Sequence, residues 1–145
     1  MKTKMNGLRN KASATLFYGC LVCALLLSTA AFSEETSLFN GKDLTGWDGA
    51  PGWWYVEDGA LTSESTAEKP CKTCNYLIWS GGQPENFELK AEFKLSAAAN
   101  SGVQIRSKAL ANWDTSGYQA DMTGDGDLVG FVYEHTRGLI AGRGQ

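Results

Sequence analysis

The chain predicts an all-β domain, and two observations carry that expectation. After residue 34 no helical periodicity of useful length occurs, and apolar residues recur with a period of two. The alternating segments are separated by Gly, Asp, Asn, Ser and Pro, the residues that make tight turns. Six or more short strands spaced by such turns argue for a sandwich or barrel built from antiparallel sheets.

Each strand has its own reason. Trp53 to Val56 followed by Leu61 reads as a strand, a Glu57-Asp58-Gly59 turn and the start of a partner strand. Tyr76 to Trp79 is a short apolar strand that stops before the Gly81-Gly82 break. In Phe87 to Leu95, Phe87, Leu89, Ala91, Phe93 and Leu95 alternate with Glu88, Lys90, Glu92 and Lys94. One face of that strand is core and the other is wet. Val103 to Arg106, Tyr118 to Asp121 and Val129 to Glu134 complete the set, and Ser63 to Lys69 is a polar loop.

The N-terminus sets the compartment. Lys2, Lys4, Arg9 and Lys11 form a basic region without acidic residues, an apolar run follows from Leu16 to Leu27, and Ala31 and Ser33 are small residues ahead of Glu34. This is the pattern of a secretory signal peptide spanning residues 1–33. The apolar run is shorter than the ~20 residues a spanning helix needs, so no stable membrane insertion is expected after cleavage. Cys20 and Cys23 lack the Leu-x-small context of a lipobox. A secreted or periplasmic protein follows.

Four of the 13 basic residues lie in that leader and none of the 16 acidic ones do, so its removal takes the net charge from −3 to −7. A domain this acidic without a basic patch will not hold a phosphate backbone, and nucleic acid is excluded as a partner. Residues 34–145 suffice for one core and are too few for two. The terminal AGRGQ follows directly on a strand-like run, which suggests that the natural domain continues past Gln145.

Function is most legible between Asn100 and Asp121. Residues i and i+2 of a strand share a face. Val103 and Ile105 therefore enter a core while Gln104 and Arg106 point the other way; Gln119 and Asp121 likewise share one face, opposite Tyr118 and Ala120. Two amides, a guanidinium and a carboxylate on one sheet surface suit a polyhydroxylated ligand. Glu134 is an acid/base candidate, with Gly130 leaving space beside it, against the plainer alternative of an ion pair with Arg137. His135, the single histidine, reads as a loop residue or a metal ligand.

Other motifs resolve toward structure. Cys71 and Cys74 form a CxxC, but zinc usually needs a second pair and no redox context surrounds it. In an oxidising compartment a local disulfide is the better reading. Asp121, Asp125 and Asp127 resemble a calcium loop, yet the twelfth position of that register is Val132, so it is not an EF-hand. Of five tryptophans, Trp54 and Trp79 read as core and Trp113, in a loop, as a ligand-facing aromatic. No close carboxylate pair of the ordinary glycosidase kind is present.

Together SLFNGKDLTGW (Ser37 to Trp47), WWYVEDGAL, NFELKAEFKL, NSGVQIR, GYQAD and GFVYEHTRG resemble the 3-keto-disaccharide hydrolase family over residues 37–143. The resemblance implies a concanavalin-like lectin/glucanase jelly roll of two antiparallel sheets, and an exported enzyme acting on glycosides oxidised at C3. A C3 ketone acidifies the C2 proton; a base removes it, the enolate expels the C1 substituent, and water adds back. That path needs one general base and one electrophile, for which a divalent metal is a candidate. Mapped here, Glu134, Asp121 and Arg106 are the catalytic candidates. Gln104, Gln119, Tyr118, Trp113 and Arg137 would hold the sugar, and Asp121, Glu134 and His135 are the candidate metal ligands. Family members continue with strands that this chain does not contain, so an inactive fragment and a non-catalytic carbohydrate-binding module are the alternatives.

Overall fold

The computed structural model describes residues 2–10 and 35–145, and for residues 2–10 only the backbone pairing and the Lys2 side chain. The strands are β1 (Lys2–Asn10), β2 (Trp47–Gly49), β3 (Trp54–Glu57), β4 (Ala60–Ser63), β5 (Leu77–Trp79), β6 (Phe87–Lys94), β7 (Asn100–Ala109), β8 (Thr115–Thr123), β9 (Val132–Glu134) and β10 (Gly138–Ala141). They form three sheets, ordered β3-β4-β1-β6, β10-β9-β8-β7 and β2-β5, with antiparallel pairing throughout. The all-β expectation holds.

Local chemistry explains the hairpins. Between β3 and β4 the loop is Asp58-Gly59, and both residues have positive φ (52° and 70°). Two left-handed residues make the turn whose twist matches the flanking strands, which is why an Asp-Gly pair stands there. β7 and β8 pair in register from Asn100↔Thr123 to Ile105↔Tyr118, then slip before Lys108↔Ser116. The slip coincides with Arg106, a non-glycine residue at φ 49°.

The buried apolar residues among those described are Phe39, Ala50, Ala60, Leu61 and Met122, with Leu61 of β4 the most enclosed. β6 alternates in burial only from Leu89 to Glu92: Glu88 is half-buried like Phe87 and Leu89, and Phe93 on the expected core face is 43% exposed, so that face is only partly covered. Among the described residues buried polar groups outnumber buried apolar ones, and most lie on β8.

Three strands were not legible in the sequence. β2 ends and β10 begins on a glycine, Gly49 and Gly138, which reads as a turn rather than a strand. β1 carries the basic segment expected as the leader's first part; it pairs antiparallel with β4 on one side and β6 on the other. Lys2 Nζ lies 2.7 Å from Asp58 and 3.0 Å from Glu57, exposed contacts of little energetic weight. The apolar run Leu16–Leu27, Cys20, Cys23 and the cleavage site before Glu34 lie outside the described residues. Among the described residues no helix is long and apolar enough to cross a membrane.

Candidate functional site

Register decides which predicted residues meet. Gln104 pairs with Gln119 and Gln119 with Tyr133; Ile105 pairs with Tyr118 and Tyr118 with Glu134. Paired residues share a face and neighbours alternate. Gln104, Gln119, Asp121 and Tyr133 therefore lie on one face of β7-β8-β9, and Tyr118 and Glu134 on the other. The expected set divides into two clusters.

The first cluster is a continuous hydrogen-bonded chain. Gln119, 8% exposed, donates from Nε2 to Oδ1 of Asp121 at 2.6 Å, and Asp121 is itself 6% exposed. Gln119 Oε1 accepts from Gln104 Nε2 at 3.2 Å and from the Tyr76 hydroxyl at 2.9 Å. Gln104 Nε2 also donates to the Tyr76 oxygen at 3.1 Å, and its Oε1 accepts from Ser107. Gly102 makes this possible: a Cβ there would fall 2.4 Å from Gln119 Cγ and 2.5 Å from Cδ. The missing side chain lets Gln119 lie across β7.

Tyr76 links this chain to His135. Its oxygen is 3.0 Å from His135 Nε2, and the imidazole stands edge-on to the rings of Tyr76 and Tyr133 at centroid distances of 5.9 and 5.7 Å. Burial pushes the Tyr76 phenol above its ordinary pKa, so it remains a proton donor at neutral pH. His135 Nδ1 is buried and has no hydrogen-bond partner among the described residues. Nε2 faces Cys74 Sγ at 3.6 Å, and donor atoms of Cys74, Asp114 and His135 all lie within 4.8 Å of one another.

The second cluster is centred on Glu134, 8% exposed. One oxygen, Oε2, accepts from the Thr136 hydroxyl at 2.6 Å, from the amides of Thr136 (3.2 Å) and Arg137 (2.9 Å), and from Arg137 Nε at 3.2 Å. The Thr136 hydroxyl above all, opposed by partial burial and helped by Arg137, holds the carboxyl below its ordinary pKa. Arg137 Nη2 donates to Tyr118 at 2.8 Å with the guanidinium over that ring. An open cleft of about 410 Å³ lies here, lined among others by Arg106, Lys108, Tyr118, Glu134 and Arg137.

Several expectations need correction. Arg106 does not share a face with Gln104, because its left-handed backbone breaks the alternation and brings it to the Glu134 cleft. Glu134 and Asp121 project from opposite faces, so Asp121, Glu134 and His135 do not form a joint metal site. Gly130 lies in a turn at φ 85° beside Arg143 and opens no space next to Glu134. Trp113 donates its indole N–H to Asp48 at 2.8 Å and lines a separate hollow with Ile78 and Leu110. Cys71 and Cys74 are free, exposed thiols, and the expected disulfide is not formed. Asp125 caps its own turn by accepting from the Asp127 amide. Sequence reasoning missed Tyr76 and Asp114. Tyr76 carried one usable signal, since a tyrosine heading a buried apolar run needs a partner for its hydroxyl.

Two amides, a phenol and a nearly enclosed carboxylate thus stand on one sheet face of an antiparallel all-β scaffold. The chain belongs to the family described as the 3-keto-alpha-glucoside-1,2-lyase-like domain, whose model matches residues 34–141. It is 30% identical over 88 residues to a 3-keto-disaccharide hydrolase of Bacteroides thetaiotaomicron, a match covering 56% of this chain and 30% of that protein. The match thus spans under a third of that relative's length. No solved structure matches the chain significantly.

Proposed function

We propose that the face bearing Gln104, Tyr76, Gln119 and Asp121 binds a 3-keto-glycoside and that Asp121 is the base that starts its cleavage. Asp121 takes the C2 proton, and the electron pair forms an enolate onto the C3 oxygen. The enolate collapses back to the ketone, a C1–C2 double bond forms, the C1–O bond breaks, and the departing aglycone oxygen takes the proton held by Asp121, which restores the carboxylate. Water then adds hydroxide to C1 and a proton to C2, which completes a net hydrolysis. Donors near the C3 oxygen, from Gln104 or Tyr76, would stabilise the enolate.

The observation that carries this reading is the Gln104–Tyr76–Gln119–Asp121 chain, an oriented set of donors ending on a nearly enclosed carboxylate. Glu134 is the weaker candidate, because four donors converge on one of its oxygens and lower its basicity. Family membership supports the substrate class. The basic and apolar leader supports export, with a mature chain beginning at Glu34 and therefore without β1.

Aglycone release from a 3-keto-glucoside, with the unoxidised glucoside as control, tests the proposal. Asp121→Asn should lose about 10²–10⁴-fold in rate, the usual worth of a general base, while still binding substrate. Glu134→Gln should stay within tenfold of wild type. Saturable binding without turnover would replace the enzyme by a lectin-like module. Full activity in Asp121→Asn would exclude it as the base.

A further inference from the structure

We infer that Cys74, Asp114 and His135 form a binding site for a zinc-class divalent cation beside the polar face. The three residues are far apart in sequence and come from three loops, before β5, before β8 and after β9. Their donor atoms nevertheless lie within 4.8 Å of one another. The Cys74 Sγ to His135 Nε2 separation is 3.6 Å. A tetrahedral zinc with Zn–S about 2.3 Å and Zn–N about 2.0–2.1 Å places its sulfur and nitrogen ligands about 3.5 Å apart. The pair already stands at the spacing that the ion imposes.

The loops are held in place without a metal. The Tyr76 amide donates to the Trp113 carbonyl at 2.9 Å, which ties the Cys74 loop to the Asp114 loop. The Asp114 carbonyl accepts from the Leu110 amide, and its Oδ1 accepts from the Thr115 amide at 2.8 Å. His135 is wedged between the rings of Tyr76 and Tyr133. Ligating histidines usually have their second nitrogen anchored by a carboxylate or carbonyl. Here Nδ1 has no such partner among the described residues, and the two tyrosines orient the ring instead.

Donor chemistry selects the ion. One thiolate, one imidazole and one carboxylate suit zinc or cobalt, whereas calcium and magnesium take oxygen ligands. On binding, the Cys74 thiol gives its proton to solvent and Sγ becomes the ligand. Three protein ligands leave a fourth position for water, as in zinc sites that do chemistry. Cys71, the other half of the CxxC, bonds the Thr73 carbonyl and lies outside the cluster. The site stands on these distances alone and does not depend on the sugar reading.

Metal titration of the reduced, metal-free full chain tests the inference. Isothermal titration with zinc should give one ion per chain. Cobalt should produce a near-ultraviolet thiolate charge-transfer band with tetrahedral visible bands. Cys74→Ser should abolish the near-ultraviolet band and weaken zinc by more than the about 10–100-fold that a lost supporting contact costs. His135→Gln and Asp114→Asn should each weaken binding, whereas Cys71→Ser should leave affinity and spectrum unchanged. Cys74 is exposed, and circular dichroism of Cys74→Ser will show that the fold survives. Cobalt binding without a thiolate band, equal zinc affinity in wild type and Cys74→Ser, or no stoichiometric binding would each overturn the site.

Discussion

Removing one oxygen, in Tyr76→Phe, tests whether the polar chain is held together as described. The hydroxyl has neighbours at 2.9 Å (Gln119 Oε1), 3.0 Å (His135 Nε2) and 3.1 Å (Gln104 Nε2). Gln119 Oε1 is not orphaned by the change, because Gln104 still donates to it at 3.2 Å. Among the described residues His135 Nε2 is left with the long contact to Cys74. Each lost neutral hydrogen bond is worth about 0.5–1.5 kcal/mol net, and Tyr76 is half-buried, so water replaces part of the loss. The expected cost is about 1 kcal/mol. With a urea slope of about 1–3 kcal/mol per M, the unfolding midpoint should fall by about 0.3–1 M without a change in slope. Tryptophan fluorescence in a urea series reads it. The loss should be less than additive with Gln119→Leu, since the two share a partner network. A midpoint unmoved in Tyr76→Phe, or full additivity with Gln119→Leu, would refute the linked chain.

Two further outcomes follow from the same geometry. The folded pKa of Glu134 lies below its ordinary 4.5, so its stabilising contribution is complete above the unfolded value and is lost as pH falls through the folded one. Urea midpoints measured from neutral pH to about pH 3 should therefore fall less steeply in Glu134→Gln than in wild type, with Thr136→Val in between. Equal acid slopes in all three would contradict the Thr136 contact. In Gly102→Ala the new methyl meets Gln119 at 2.4 Å and the Ala120 carbonyl at 2.8 Å. Overpacking of this kind costs about 1–3 kcal/mol, and substrate binding should be lost with the displaced Gln119. Wild-type stability and binding in that variant would show that Gln119 does not cross β7.

The division between what was legible and what was not follows physical lines. Alternation along Phe87 to Leu95 and the Asp58-Gly59 pair are local properties, and both β6 and the β3–β4 hairpin stand where they point. Gln104, Gln119 and Asp121 share a face because period two holds through Ile105. It fails at Arg106, whose positive φ no side-chain pattern announces. Glu134 failed for another reason. Within β9 its face relative to Tyr133 was readable, but which face of β9 continues the Gln119 face depends on inter-strand register, and that puts Glu134 beside Tyr118.

The sequence by itself determined the all-β class, the turn chemistry, the family and the polar character of Asn100 to Asp121. These depend on spacing within one segment, where a two-residue period suffices. Only the tertiary structure decided that Tyr76 joins the amides, that Asp121 and Glu134 face apart, and that Cys74, Asp114 and His135 converge. Those facts depend on how loops distant in sequence are brought together, and no local period carries that information.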